Sequence, residues 1–132
     1  MYVCILGCIF NVVNIAVLTH KDMRANPINL ILTGIAIADC LNMLEYIPFQ
    51  YNMYFLDSSR EERLSQGWGY FMLFHVNFSN FIHTVAIFLT LSLAIWRFIM
   101  IKFPSTAVTL CTIDKCKLVL ILGYGTYNCL YF

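Results

Sequence analysis

Two carboxylates occupy a stretch that otherwise carries no formal charge. Asp39 and Glu45 are the charged residues between positions 25 and 56, where the neighbours are mainly Ile, Leu, Met and Ala. A carboxylate in apolar surroundings is costly, so it usually faces a polar interior or a hydrogen-bond partner. Asn11 and Asn14 lie in another apolar run and are the expected partners of Asp39. We predict a central polar core of these three residues, and the alternative is that Asp39 only bonds a neighbouring helix.

A second group of polar residues suggests a ligand cavity. Pro48 follows Glu45 and lacks the N–H of a regular helix, which predicts an opened, hydrated end of that element. A later apolar run carries His75, Asn80 and His83 at largely helical spacing. We predict that these five residues line a ligand cavity. Two alternatives remain: Glu45 extends to an aqueous interface, or the polar residues only contact other helices.

Catalytic and metal chemistry have no support in the sequence. No nucleophile stands at a plausible spacing from a base, so we predict that the chain is not an enzyme. Cys111 and Cys116 lack the second pair or the histidines that a zinc site needs, and neither a metal nor a cofactor is expected. The formal net charge of +1 gives no electrostatic argument for nucleic acid.

The elements that carry these residues are long and apolar. The chain has 132 residues, 61% of them hydrophobic and 11% charged, and this balance indicates a surface that faces lipid. A bilayer core of roughly 30 Å requires about 20 apolar helical residues. The uncharged runs are apolar on all sides, which favours helices over the alternating strands of a membrane barrel. We predict an all-α membrane protein of four transmembrane helices, with spans at about 1–19, 28–55, 68–101 and 117–132.

The basic residues predict the orientation. Lys and Arg collect in the loop after the first span and in the one between the third and fourth, whereas the loop 57–67 between the second and third holds more acidic than basic residues. Because cytosolic loops are enriched in Lys and Arg, the first and third loops are expected in the cytosol and the N-terminus outside the cell. The cationic residues are Lys21, Arg24, Arg97, Lys102, Lys115 and Lys117.

Several segments resemble rhodopsin-like G-protein-coupled receptors. Asn11 with the segment 14–19 resembles their first helix, and 29–39, which ends Ala-Ile-Ala-Asp, resembles their second. The segment 93–99, Leu-Ala-Ile-Trp-Arg-Phe-Ile, is similar to the end of their third helix. This Trp-Arg variant, together with Leu-Glu-Tyr-Ile-Pro at 44–48, looks like invertebrate FMRFamide, myosuppressin and sex-peptide receptors. The resemblance extends through nearly all of the chain.

The resemblance implies a fold and a function. The four helices would be the first half of a seven-helix bundle in the plasma membrane, and the chain would be a fragment. Trp96, Arg97 and Phe98 would form the switch that engages a heterotrimeric G protein, although Trp96 replaces the usual acidic residue. Ser79 stands where an amine receptor has an Asp, so an FMRFamide-like peptide is the expected ligand. No Cys stands near Met72, where the family usually has one.

Two other functions fit parts of the sequence. A truncated receptor-like protein could associate with full-length receptors through small and polar residues on its helices. A fragment of a transporter or channel could use Asp39 and Glu45 as an ion path. We expect no autonomous signalling from the 132 residues, because four helices cannot form a seven-helix cavity.

Overall fold

A computed structural model describes residues 2–54 and 65–125, which form five helices. They are α1 (Tyr2–Leu18), α2 (Pro27–Tyr54), α3 (Gln66–Lys102), α4 (Pro104–Leu110) and α5 (Ile113–Gly125). The acidic part of the loop predicted at 57–67 and the last residues of the predicted fourth span, 126–132, lie outside the described residues.

Local sequence sets several of the helix ends. Pro27 opens α2, where the missing N–H is not needed, and the Asn26 side chain accepts a hydrogen bond from the Ile28 backbone at 3.1 Å. Ser65 caps α3 by accepting from the Trp68 backbone N–H at 3.3 Å. Phe103 precedes a proline and leaves the helical region, with φ −133° and ψ 67°, so α3 ends there.

The packing centres on α2. This helix contacts α1 on one side and α3 on another, and the start of α2 also contacts α5. The main buried cluster is made by residues of α2, α3 and α5, whereas the described residues of α1 include no buried one. The cluster consists of Ile28, Ile31, Val85, Leu89, Leu93, Trp96 and Cys116.

A close approach joins α5 to α2 at Gly34. A Cβ atom at this position would lie 2.4 Å from Cδ2 of Leu120, so the glycine lets the two helices meet. The Tyr124 hydroxyl donates a hydrogen bond to the Gly34 carbonyl at 2.8 Å. At the other end of the contact, the Cys116 thiol donates to the Pro27 carbonyl at 3.0 Å. These contacts fix the first part of α5 on the bundle.

Two helices meet the length and polarity requirements of a membrane span. They are α2, with 28 residues and a mean hydropathy of 1.6, and α3, with 37 residues and 2.1. The helix α1 has 17 residues and α5 has 13. That four helices cross the bilayer stays a prediction for the first and last spans.

The structure corrects two local expectations. Pro48 does not open the end of α2, because the helix continues through it to Tyr54. The segment between the third and fourth predicted spans is not a plain loop, since it contains α4. A proline at the first position of α4 explains how a helix can restart directly after Phe103.

Candidate functional site

The most unusual polar contact in the bundle joins Glu45 of α2 to His75 of α3. The His75 Nδ1–H donates to Glu45 Oε1, and both side chains are buried, with exposed fractions of 7% for Glu45 and 11% for His75. The second carboxylate oxygen, Oε2, is also buried and has no hydrogen-bond partner among the described residues. The carboxylate therefore keeps one acceptor oxygen that the described protein does not use.

Aromatic rings enclose this pair. The Phe49 ring stacks on the His75 ring with centroids 4.1 Å apart and planes at 8°. Tyr46 and Phe71 lie 5.8 Å and 6.4 Å from the same imidazole. These rings were not among the predicted site residues. The signal was present in the spacing, because Glu45 and Phe49, like Phe71 and His75, are four residues apart and share a helix face.

A weaker polar contact lies closer to the middle of the same two helices. The Ser79 hydroxyl donates to the Asn42 side-chain oxygen at 3.4 Å. Both side chains are partly buried, and they lie about one turn from His75 and Glu45 along their helices. Two polar contacts therefore connect α2 and α3 on consecutive turns, with the charged one nearer the end that is predicted to be extracellular.

The structure does not bring all five predicted cavity residues together. Glu45 and His75 are in contact, as described above. Pro48, Asn80 and His83 are exposed, and Asn80 and His83 lie on parts of the α3 surface away from the buried His75. Eight residues separate His75 from His83, which is more than two turns, so helical spacing alone did not put them on one face.

Asn11, Asn14 and Asp39 line a single cavity between α1 and α2. Its volume is about 320 Å³, and the remaining lining is aliphatic. The predicted direct contact is not present, because the Asn11 amide donates to the Gly7 carbonyl of its own helix at 3.1 Å. The charged neighbour of Asp39 is instead His83 of α3. The three predicted residues thus share a cavity without forming one hydrogen-bonded cluster.

The residues of the predicted G-protein switch differ in their surroundings. Trp96 is buried in the main cluster, whereas Arg97 and Phe98 are exposed. The ammonium group of Lys102 lies 5.6 Å from the centroid of the Phe98 ring. Within residues 2–54 and 65–125, the Arg97 side chain has no ion pair or hydrogen bond, so its guanidinium is available at the end of α3.

Comparisons with known proteins identify the class of molecule. The family model of the serpentine type seven-transmembrane chemoreceptors, Srw, matches residues 1–130. The chain belongs to this family of G-protein-coupled receptors. It is accordingly a membrane receptor protein and not an enzyme. The sequence-based assignment to the G-protein-coupled receptors is confirmed.

Two relatives place the chain near invertebrate peptide receptors. It is 29% identical over 104 residues to the G-protein coupled receptor dmsr-1 of Caenorhabditis elegans, covering 77% of the chain and 20% of that receptor. It is 30% identical over 118 residues to the Sex peptide receptor of Drosophila melanogaster, covering 88% of the chain and 27% of that receptor. The chain therefore spans about a fifth to a quarter of the length of these relatives. No solved structure matches it significantly.

Proposed function

We propose that these residues form the first four membrane helices of a receptor for an extracellular peptide, which signals to a heterotrimeric G protein. The N-terminus would lie outside the cell and the loops around Lys21 and Lys117 in the cytosol. The peptide part of the proposal draws on the Drosophila relative, whose name is that of a peptide receptor. The short coverage of both relatives supports the view that the chain is part of a longer receptor.

The buried contact between Glu45 and His75 carries the proposal. It lies in the halves of α2 and α3 that would face the outside, and a buried carboxylate in a membrane helix is usually functional. Its free oxygen, Oε2, suits a basic group of a ligand. An FMRFamide-like peptide offers a guanidinium for this oxygen and aromatic rings for Tyr46, Phe49 and Phe71. The ligand would approach between these rings.

The opposite end of α3 would contact the G protein. Trp96 anchors this end in the core, and the exposed Arg97 follows it without a carboxylate neighbour. An unpaired guanidinium can bind a carbonyl or a carboxylate of a partner protein. The cavity at Asn11, Asn14 and Asp39 lies between the two ends. We propose that this polar space rearranges when the receptor changes state.

The test uses the complete reading frame that contains the chain, obtained by sequencing the transcript through both ends. The receptor is expressed in cells with a promiscuous G protein and exposed to a panel of amidated peptides. We expect a response to peptides that contain Arg and aromatic residues. Glu45→Gln keeps the size of the side chain but removes its charge, and it should weaken peptide potency at least ten-fold, about the effect of losing one charge-assisted hydrogen bond.

Arg97→Ala separates signalling from binding. We expect normal surface expression and normal peptide binding, with no G-protein response, because only the cytosolic contact is removed. Lys102→Ala is the matched control, since Lys102 is a cation at the same end that is occupied by the Phe98 ring. Normal coupling of the Arg97 variant would contradict the proposed role. If no peptide activates the receptor and the 132-residue chain co-purifies with full-length relatives, the chain is instead an associated receptor-like protein.

A further inference from the structure

A basic cavity lies at the end of the bundle where α2 and α5 begin. Lys21, Arg24 and Ala25 from the segment between α1 and α2 form one wall, and Ile113 and Lys117 of α5 form the other. Leu30 of α2 completes the lining, and the cavity measures about 480 Å³. This volume is within the range of about 300–1,000 Å³ that is typical of small-ligand sites. The cavity plays no part in the peptide or G-protein contacts proposed above.

The three cations of this cavity have no partner within the described part of the chain. Lys21, Arg24 and Lys117 make no ion pair or hydrogen bond there through their side chains. Two acidic residues lie nearby in sequence: Asp22 pairs with His20 at 3.4 Å, and Asp114 makes no ion pair with the three cations. Three positive charges from two separate elements therefore converge on one space and stay unneutralised by described residues.

The lining combines this charge with apolar surface. Leu30, Ile113 and Ala25 add aliphatic groups next to the three cations. The cavity is at the level where α2 begins and where α3 ends at Lys102, so it would lie at the boundary between the headgroups and the hydrocarbon. Basic pockets between membrane helices on the cytosolic side bind polyanionic lipid headgroups. A soluble phosphate would have no use for the aliphatic part of the lining.

We propose that Lys21, Arg24 and Lys117 bind the phosphorylated headgroup of a phosphoinositide in the cytosolic leaflet, with its glycerol and acyl region against Leu30 and Ile113. The lipid would hold the segment between α1 and α2 against the start of α5. The cytosolic location rests on the orientation proposed above. The binding itself needs neither peptide nor G protein.

The test measures lipid binding to the purified receptor from the complete reading frame, in detergent, by native mass spectrometry. The probe is a short-chain phosphatidylinositol bisphosphate, with phosphatidylserine and phosphatidylcholine as comparisons. We expect one phosphoinositide to bind in preference to both. Each cation near the surface contributes about five-fold in affinity, so Lys21→Gln/Arg24→Gln/Lys117→Gln should weaken binding about 100-fold.

Matched variants separate the site from general surface charge. Lys115→Gln removes the same charge two residues from Lys117, but Lys115 donates to the Thr109 carbonyl at 2.8 Å and does not line the cavity. We expect its affinity to stay within two-fold of the parent. Lys21→Arg/Arg24→Lys/Lys117→Arg keeps the charges and should keep binding, which covers the case in which the neutralised variant does not fold.

Three results would overturn the proposal. The first is equal binding of phosphatidylserine, which would show attraction by surface charge alone. The second is equal competition by inorganic phosphate or soluble inositol trisphosphate, which would indicate a soluble anion as the ligand. The third is unchanged affinity of the neutralised variant. A receptor that ignores every peptide but shows the expected lipid selectivity would contradict the proposed function and leave this inference standing.

Discussion

Replacing His75 by Phe removes the hydrogen-bond donor that Glu45 has among the described residues. The aromatic ring is retained, so the stacking on Phe49 at 4.1 Å can persist and packing changes little. Both oxygens of a carboxyl group whose side chain is 7% exposed would then lack a partner, because Oε2 has none at the start. The variant thus isolates the polar contact from the packing around it.

The expected loss follows from two bounds. Breaking a buried ion pair in a soluble protein costs about 3–5 kcal/mol, whereas single hydrogen bonds between membrane helices contribute at most about 1.7 kcal/mol. Glu45 can bind a proton when His75 is absent, which lowers the cost below the first range. We therefore expect His75→Phe to reduce the free energy of unfolding by about 2–3 kcal/mol. Glu45→Leu combined with His75→Phe removes both polar groups and should lie within about 1 kcal/mol of the parent.

The assay follows buried thiols in the receptor from the complete reading frame. Cys40 and Cys116 are 9% and 0% exposed, so a fluorogenic maleimide reaches them only as the bundle opens. The midpoint of a urea titration in mild detergent reports the free energy of unfolding when its slope is unchanged. His83→Phe is the matched control, because His83 is exposed on the same helix, and its effect should stay below about 0.5 kcal/mol.

Two outcomes would refute this reasoning. If His75→Phe matches the His83→Phe control, the contact with Glu45 contributes nothing and the pair is not buried as described. If the double variant is as unstable as His75→Phe alone, the loss comes from packing and not from an unpaired carboxyl group. Either result would also remove the main support for a ligand site at this position.

Two further changes test how the helices pack, with the same thiol assay. Tyr124→Phe removes the 2.8 Å hydrogen bond to Gly34 and should cost about 0.5–1.5 kcal/mol, whereas Tyr70→Phe at a residue that is 72% exposed should have no effect; equal effects would mean that α5 is not held at Gly34. Leu89→Ala empties the centre of the cluster and should cost about 2–5 kcal/mol, while Leu91→Ala, at a residue that is 59% exposed, should cost far less; similar losses would argue against the helix face assigned to the core.

Much of the molecule's character could be predicted from the sequence. Long uncharged runs can only be helices in lipid, because a backbone without water must satisfy its own hydrogen bonds. The Trp-Arg-Phe end of α3 and the Asp39 segment were enough to indicate the receptor class, which the family match confirms. Glu45 and His75 could be picked out because a titratable residue in an apolar run needs a partner.

The tertiary structure decided which partners meet. Asp39 shares a cavity with Asn11 and Asn14, yet its charged neighbour is His83, which was assigned to a different site. Helical spacing gives the face of a residue within its own helix but not which helix packs against that face. The same reason explains why the aromatic rings around His75 were missed.

The sequence by itself determined the solvent of this protein, its secondary structure and its family, because composition and periodicity are local properties of the chain. Only the packing of α2 against α3 and α5 determined that Glu45 binds His75 and that Trp96 is buried beside an exposed Arg97. It also determined that cations from two distant segments line one cavity. These features depend on the rotation and crossing of helices, which are set by contacts between residues far apart in the sequence.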